Sequence, residues 1–123
     1  MKGVLNAAFA VHKALGSALP ELVYEKALAV ELDARSIAAR RQVEFPVRYR
    51  DRHCGKGRLD LLVEERVVVE LKACTDIHPQ HAAQVRSYLH LTGLRLGVIL
   101  NFNAYLLKDG IRRVVYSPNR VLG

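Results

Sequence analysis

Two apolar runs, Leu59–Val63 and Val67–Ala73, lie only three residues apart and constrain the fold more than any other feature of the sequence. Short runs rich in leucine and valine are typical of buried strands. Parallel strands need a long crossover connection, so a connection this short joins antiparallel neighbours. The two runs therefore predict a β-hairpin inside a larger sheet.

The length of the hairpin loop decides which side chains share a face. If residues 64–66 all lie in the loop, Asp60 lies opposite Glu70, and Lys72 follows on the same face because side chains alternate along a strand. A two-residue loop would instead pair Asp60 with Val69 and place the two acids on opposite faces. The first register also predicts one wholly apolar face, made of Leu59, Leu61, Val63, Val67, Val69 and Leu71.

The first register would place two carboxylates side by side in an apolar sheet. Such a pair is poorly solvated and self-repelling, so it holds a proton or binds a cation. Hard oxygen ligands favour Mg²⁺ or Mn²⁺, and a neighbouring lysine can stabilise a phosphate or orient an attacking water. The pattern Glu70-Leu-Lys72 is also common on exposed strands, so a solvent-facing hairpin with mixed charges stays open on pattern alone.

The rest of the chain predicts helices on either side of these strands. The chain length of 123 residues is that of one domain, which we expect to span residues 1–123. The predicted order is ααβββαβββ, an α/β fold with a mixed sheet. The predicted elements are helices over Val4–Leu15, Pro20–Ala34 and Pro79 to about Thr92, strands at Val43–Val47, Leu96–Asn101, Tyr105–Leu107 and Arg112–Tyr116, and a loop from Arg50 to Gly57.

Composition narrows the class of partner. The formal net charge of +7 favours a nucleic-acid partner, although a basic domain without one stays open. The only cysteines, Cys54 and Cys74, show no framework spacing, which favours a reducing, cytoplasmic location. No stretch predicts a signal peptide or a membrane span. The pair His78 and His81 has zinc-like spacing but lacks a third ligand, so a polar helix start is the preferred interpretation.

The spacing of Asp60, nine residues, then Glu70-Leu-Lys72 resembles the core motif of the PD-(D/E)xK nuclease superfamily. Over nearly its whole length, the chain also resembles the small bacterial GxxExxR family, usually placed in that superfamily. The matching stretches are Val11–Gly16, Leu19–Leu28, Asp60–Val63, Val69–Ala73, Gln84, Tyr88, Leu89, Leu91–Leu94, Asn101 and Phe102. One departure is Ala18 and Tyr24 where the family name marks glycine and arginine, which affects the entry to the second helix.

The resemblance implies a restriction-endonuclease-like core and a role for each matching residue. Asp60 and Glu70 would bind Mg²⁺ or Mn²⁺, and Lys72 would be the catalytic lysine. The backbone carbonyl of Leu71 and the carboxylate of Glu21 would be further ligands, and Gln84 would orient water or a ligand. Two simpler interpretations stay open: Glu21 complements a helix dipole, and Gln84 is an ordinary polar helix residue.

These observations predict a divalent-metal-dependent nuclease that acts on DNA. Basic residues between Arg35 and Arg58 would hold the backbone, with Arg40, Arg41, Lys56 and Arg58 as the candidates. A domain this small covers little of a duplex, so we expect a homodimer, as for junction-cleaving relatives of similar size. Two alternatives stay open: a module with the nuclease fold that binds nucleic acid but cleaves nothing, and an interaction protein that is basic by chance.

Overall fold

The computed structural model describes residues 1–118, which form three α-helices and one five-stranded sheet. The helices are α1 (Lys2–Leu15), α2 (Glu21–Ala34) and α3 (Pro79–Thr92). The strands are β1 (Ala39–Tyr49), β2 (Arg52–Val63), β3 (Val67–Lys72), β4 (Leu96–Asn101) and β5 (Ile111–Val115). The predicted α/β class with a mixed sheet is confirmed.

The strands lie in the sheet in chain order, β1-β2-β3-β4-β5. The pair β3 and β4 is parallel, and α3 forms the crossover between them, whereas the other three pairs are antiparallel. Interior strand β4 is buried on both faces, as its continuous apolar run predicted. Strand β1 lies at an edge, where Pro46 costs no essential ladder hydrogen bond.

Helices cover both faces of the sheet. Helices α1 and α2 pack on one face with the odd-numbered residues of β3, which include Val69 and Leu71. Helix α3 packs on the other face with Val68. Helix α1 packs on the sheet through one stripe of apolar side chains that recur at helical spacing. These buried residues are Val4, Ala7, Ala8 and Val11.

Helix α2 is held to the preceding loop by Tyr24. The Tyr24 hydroxyl donates a hydrogen bond of 2.6 Å to the Gly16 carbonyl and accepts one of 3.1 Å from the Leu19 amide. Its ring stacks on Phe102 at 4.6 Å between centroids. Pro20 is the residue before the helix and not its first residue, a small correction to the predicted start.

The predicted loop from Arg50 to Gly57 is wrong, because β1 and β2 continue through it as a long hairpin. The turn has only two residues, Arg50 (φ 48°) and Asp51 (φ 63°), the left-handed pair that twists in the sense of a β-ribbon. The register shifts by one residue beyond Val47, which is a β-bulge that absorbs Cys54. Gly57 lies within β2, and glycine is needed there because the ring of Phe45 covers this position and leaves no room for a Cβ atom.

The predicted strand Tyr105–Leu107 and its hairpin with the following strand are also wrong. Residues Leu107–Gly110 form a 3₁₀ turn, and β5 is the only strand after it within residues 1–118. Leu107 is drawn into the core with Phe102, while Tyr105 is exposed, so the segment cannot alternate as a strand does. Gly110 fits closely under the Asn101 carbonyl, where a side chain would clash.

A further correction concerns Leu59, which packs with Val68 beside α3 and not with Leu61 beside α2. The alternation changes phase at Gln42, a β1 residue with φ 55° that stands opposite Asp60. Arg41, just before Gln42, donates a hydrogen bond to Glu25 of α2, whereas Val43, just after it, packs on the other face with the residues of α3. The predicted apolar face therefore ends at Leu61.

Within the described part of the chain, none of the three helices has both the length and the apolar character that crossing a bilayer requires.

Candidate active site

The hairpin between β2 and β3 has the register that opposes the two acids. Residues 64–66 form the loop, with Glu64 and Glu65 in the left-handed region, and Val63 pairs with Val67. The ladder between β2 and β3 ends at the pair of Leu61 and Val69. Asp60 and Glu70 are the next residues on their strands, so they lie where the two strands begin to separate.

The carboxylates of Asp60 and Glu70 each accept a hydrogen bond from the backbone of the facing strand. The Leu71 amide donates to Oδ2 of Asp60 at 2.9 Å, and the Asp60 amide donates to Oε1 of Glu70 at 3.3 Å. Glu70 is only 5% exposed, while Asp60 and Lys72 are half-buried. Beyond the end of the ladder, backbone amides of the facing strands thus hold both acids in place.

The environment of Glu70 favours its protonated form. Burial, followed by the charge of Asp60, raises the pKa of Glu70 from 4.5 to about 8. The Asp60 amide and the positive charge of Lys72 act in the opposite direction but do not outweigh them. A carboxyl group of this kind takes up a proton at neutral pH unless another cation replaces that proton.

Glu21 approaches the same place from the first turn of α2. Its pKa is raised by partial burial, while Lys72 lowers it and Asp60 raises it. The Ala73 backbone amide also interacts with this carboxylate and lowers its pKa. Helix α2 therefore brings a third acid within electrostatic range of the pair on the hairpin.

An open, polar pocket of about 430 Å³ joins these groups. Helix α3 contributes Gln84 and Tyr88 to its wall, and the β1–β2 hairpin contributes Glu44, Lys56, Gly57 and Arg58. The predicted site residues that line the pocket are Glu21, Lys56, Arg58, Asp60, Glu70, Lys72 and Gln84. Leu71 directs its side chain into the α2 layer, so only its backbone is a candidate for the site.

The chain matches the profile of a known protein family over most of its length. The profile of the PD-(D/E)XK nuclease superfamily matches residues 1–114. The chain belongs to the PD-(D/E)XK nuclease superfamily. No curated protein and no solved structure matches the chain. Membership implies a nucleic-acid substrate, because the superfamily is one of nucleases.

Nucleases of the PD-(D/E)XK superfamily generally use divalent metal ions, and the residues of this pocket have the chemistry to hold one. In residues 1–118, no three His, Cys, Asp or Glu side chains converge into a complete metal-binding group. Mg²⁺ needs no such group, because it keeps several waters and is commonly held by one or two carboxylates plus substrate phosphates. Asp60 and Glu70 supply two hard oxygen ligands at one point, and a cation would replace the proton that Glu70 otherwise holds. The residues present fit a divalent ion.

The other two basic residues predicted to bind nucleic acid, Arg40 and Arg41, do not line the pocket. Arg40 forms a bidentate pair with Glu65 of the hairpin loop, with an Nη2 to Oε1 distance of 2.8 Å. Arg41 pairs with Glu25 of α2 at 2.6 Å. Both guanidinium groups are already engaged by carboxylates of this chain.

Glu25 is a residue of this PD-(D/E)XK domain that the sequence analysis missed. It is 3% exposed, and besides Arg41 it accepts a hydrogen bond of 2.6 Å from the Gln42 side chain. It thereby ties α2 to β1 at the left-handed residue opposite Asp60. Its position four residues after Glu21 was the available signal, since both lie on one helix stripe.

Asn101 at the end of β4 is a second residue that was missed as a site component. Its amide Nδ2 donates to the Cys74 carbonyl at 2.9 Å, and its Oδ1 accepts from the Cys74 and Asn103 amides, both at 3.2 Å. Asn101 is the partner of Lys72 in the parallel ladder. It therefore fixes the direction of the chain immediately after the candidate catalytic lysine.

The residues considered for zinc have other partners in this structure. His78 and His81 cap the start of α3, where Nδ1 of His81 accepts a hydrogen bond from the His78 amide at 3.1 Å. The predicted polar helix start is confirmed. Both cysteines are free thiols, Cys54 in the β1–β2 hairpin and Cys74 after β3.

Proposed function

We propose that this chain is a divalent-metal-dependent nuclease that hydrolyses phosphodiester bonds of DNA. The observation that carries the proposal is that Asp60 and Glu70 lie opposite each other at the point where β2 and β3 separate. Lys72 lies two residues after Glu70 on β3. The pocket beside them is open and polar enough to admit a phosphate backbone. Membership of a nuclease superfamily supports a nucleic-acid substrate, and we propose that this substrate is DNA and that it binds in this pocket.

In this proposal Asp60 and Glu70 would hold the metal ion, and the Leu71 carbonyl and Glu21 would be further ligands. Glu21 does not converge with the pair in the structure, so its side chain would have to turn towards the ion on binding. A bound divalent ion supplies Lewis-acid stabilisation of the phosphate and a more acidic water. Glu70 must release its proton to become a ligand, and Lys72 favours that release because it lowers the Glu70 pKa.

Lys72 and Gln84 act on the substrate side of the proposed site. The Lys72 ammonium stabilises negative charge that develops on the phosphate, and the Gln84 amide orients the attacking water through a hydrogen bond. Arg58 and Lys56, on the rim, bind neighbouring phosphates of the strand. Lys56 is paired with Glu44, so binding a phosphate requires that ion pair to open.

The first experiment is calorimetric titration of Mn²⁺ and Mg²⁺ into the wild type, Glu70→Ala and Glu44→Ala. Glu44 lines the same pocket but is not a proposed ligand, so its variant is the matched control. We expect binding in the wild type and the control and its loss in Glu70→Ala. A screen for cleavage of branched, single-stranded and duplex DNA in Mn²⁺ then tests the reaction. A wild type that binds neither ion, even with DNA present, contradicts the proposal.

A domain that binds nucleic acid without cleaving it is the second candidate function. The observation that favours it is that, across residues 1–118, no three metal-ligating side chains converge. Salt-dependent DNA binding with no Mn²⁺-dependent cleavage would select this alternative. An unchanged cleavage rate in Asp60→Asn would also contradict the roles proposed above.

The proposal also includes membership of the GxxExxR family, a homodimeric state and a cytoplasmic location. The dimer is proposed because one domain of this size covers little of a duplex. Sedimentation at micromolar concentration tests it, and a monomer at all concentrations contradicts it.

A further inference from the structure

The β1–β2 hairpin extends well beyond the rest of the sheet. Strand β3 stops pairing with β2 at Leu61, whereas β1 and β2 remain paired as far as Tyr49 and Arg52. Residues 44–58 are named the arm. Five residue steps separate the pair of Glu44 and Arg58 from the pair at the tip, so the arm is about 17 Å long at 3.3 Å per residue.

The arm carries a concentration of positive charge, of which only Lys56 is engaged in an ion pair among residues 1–118. Its cations are Arg48, Arg50, Arg52, Lys56 and Arg58, against two carboxylates, those of Glu44 and Asp51. All five cations are exposed. Within residues 1–118 the three arginines nearest the tip form no ion pair, in contrast to Arg40 and Arg41 on the body of the sheet.

The base of the arm is anchored beside the proposed active site. Phe45 lies over Gly57 on the paired strand and meets Tyr88 of α3 edge-on, at 5.1 Å between ring centroids. Lys56 and Arg58 at this base line the same pocket as Asp60 and Glu70. The arm therefore starts at the candidate catalytic pocket and leads away from it.

The tip presents an aromatic ring and a guanidinium group to solvent. Tyr49 is 68% exposed, and the guanidinium of Arg50 stands 5.9 Å from the centre of its ring. Nothing in the fold requires an exposed tyrosine at this point, and neither residue packs on a helix. Tyrosine and arginine together are typical of surfaces that bind partners.

We propose that the arm lies in the major groove of duplex DNA next to the scissile phosphate and supplies most of the binding affinity. A two-stranded ribbon fits the major groove of B-form DNA, which is about 12 Å wide. The major groove of A-form RNA is too deep and narrow for side chains to read, so the shape favours DNA. At 3.4 Å per base pair, the arm spans about five base pairs to one side of the pocket. This inference rests on the proposed function, because it names the substrate of the same site.

The test measures DNA binding apart from cleavage. A labelled 24-base-pair duplex is titrated in EDTA with the wild type and with the arm variant Arg48→Gln/Arg50→Gln/Arg52→Gln. The matched control is Arg66→Gln/Arg95→Gln/Arg113→Gln. It removes the same charge from exposed arginines outside the arm that, in the described part of the chain, also form no ion pair. Circular dichroism confirms that each variant is folded.

We expect the arm variant to bind at least about tenfold more weakly and the control to lose about threefold or less. Each lost phosphate contact lowers the slope of log K against log salt by about 0.9, so the arm variant should lose between about 2 and 3 of that slope. Duplexes with two base pairs beyond the cleavage point should bind more weakly than those with ten. Arm and control variants that weaken equally would overturn the proposal.

Three further results test the groove assignment, the alternative role of the arm and the dependence of this inference on the proposed function. Equal loss of affinity for single-stranded DNA, or for an RNA duplex of the same sequence, would overturn the groove assignment. A change in sedimentation of the arm variant, with DNA binding unchanged, would show instead that the arm joins two copies of the chain. If the arm variant fails to bind while wild type never cleaves in Mn²⁺, the arm proposal stands and the nuclease proposal fails.

Discussion

Replacing Glu70 with glutamine should stabilise the metal-free protein at alkaline pH and abolish metal binding. The substitution keeps the shape of the side chain and removes the charge that burial and Asp60 disfavour. The amide oxygen can still accept the Asp60 backbone hydrogen bond, and the amide NH₂ can donate to the Asp60 carboxylate in place of the proton. Glutamine thus imitates the protonated glutamic acid.

The expected magnitude follows from the raised pKa. The pKa is 4.5 for an unperturbed glutamate and about 8 in the folded chain. Between these values the unfolded state has released the proton and the native state has not, so the free energy of unfolding falls as pH rises through this window. The loss is complete above the folded pKa. At 1.36 kcal/mol per pKa unit its upper limit is about 5 kcal/mol, and relaxation around the ion reduces it.

The assay is urea denaturation in EDTA at pH 5, 7 and 9 for the wild type, Glu70→Gln and Glu44→Gln. At pH 5 the wild type and Glu70→Gln should differ by less than about 1 kcal/mol, because the native glutamate is still protonated. At pH 9 Glu70→Gln should be more stable by at least about 2 kcal/mol. The control should show no such gain, because Lys56 lowers the Glu44 pKa and neutralisation removes a favourable charge.

Mn²⁺ should reverse the order at pH 8. A ligand at 100 times its dissociation constant stabilises the native state by about 2.7 kcal/mol, and only the wild type can gain this. A Glu70→Gln protein no more stable than wild type at pH 9 in EDTA would refute the reasoning, because the carboxylate would then be well solvated. Equal stabilisation of both proteins by Mn²⁺ would place the metal elsewhere.

Three further changes test other parts of the site and fold. Arg41→Ala should lower the free energy of unfolding, measured by urea denaturation, by about 2 to 3 kcal/mol, because it leaves the buried Glu25 carboxylate without its charge partner. The control Arg40→Ala removes an exposed ion pair and should cost less than about 1 kcal/mol. Equal losses in the two variants would contradict the burial of the pair of Arg41 and Glu25. Gly57→Ala should destabilise by about 1 to 3 kcal/mol because the added methyl group meets the ring that covers it, and an unchanged melting temperature would argue against that packing. Lys72→Ala should lower the rate of DNA cleavage by about 10² to 10³-fold, because the ammonium group that stabilises charge on the phosphate is removed. Calorimetry should still detect metal binding in this variant. Loss of metal binding would instead assign the lysine a structural role.

The sequence predicted most of the elements that hold the candidate site. Helical spacing in α1 and α2, the proline that opens α3 and the continuous apolar run of β4 all agree with the structure. These signals are local, because each depends on residues within one or two turns or a single strand. The position of Asp60 opposite Glu70 could also be predicted from the sequence, since it depends only on the length of the hairpin loop.

The errors occurred where local composition gave the wrong signal. Charge and glycine between Arg50 and Gly57 indicated a loop, but an aromatic ring from the neighbouring strand takes the place of a side chain at Gly57. The turn at Arg50 and Asp51 lacks the glycine that usually marks such a hairpin. After β4, burial of Leu107 overrides a pattern that resembled a strand.

By itself, the sequence determined the α/β class, the order of most elements and the residues that could carry metal chemistry. Only the tertiary structure decided that Glu21 of α2 and Gln84 of α3 line one pocket with the hairpin. These residues are far apart in the chain and meet only because both helices pack against the sheet, one on each face. The tertiary structure alone also paired Arg41 with Glu25 and, among residues 1–118, left Arg48, Arg50 and Arg52 without an ion pair. Electrostatic energies depend on burial and on distance in space, and neither quantity can be read from positions along the chain.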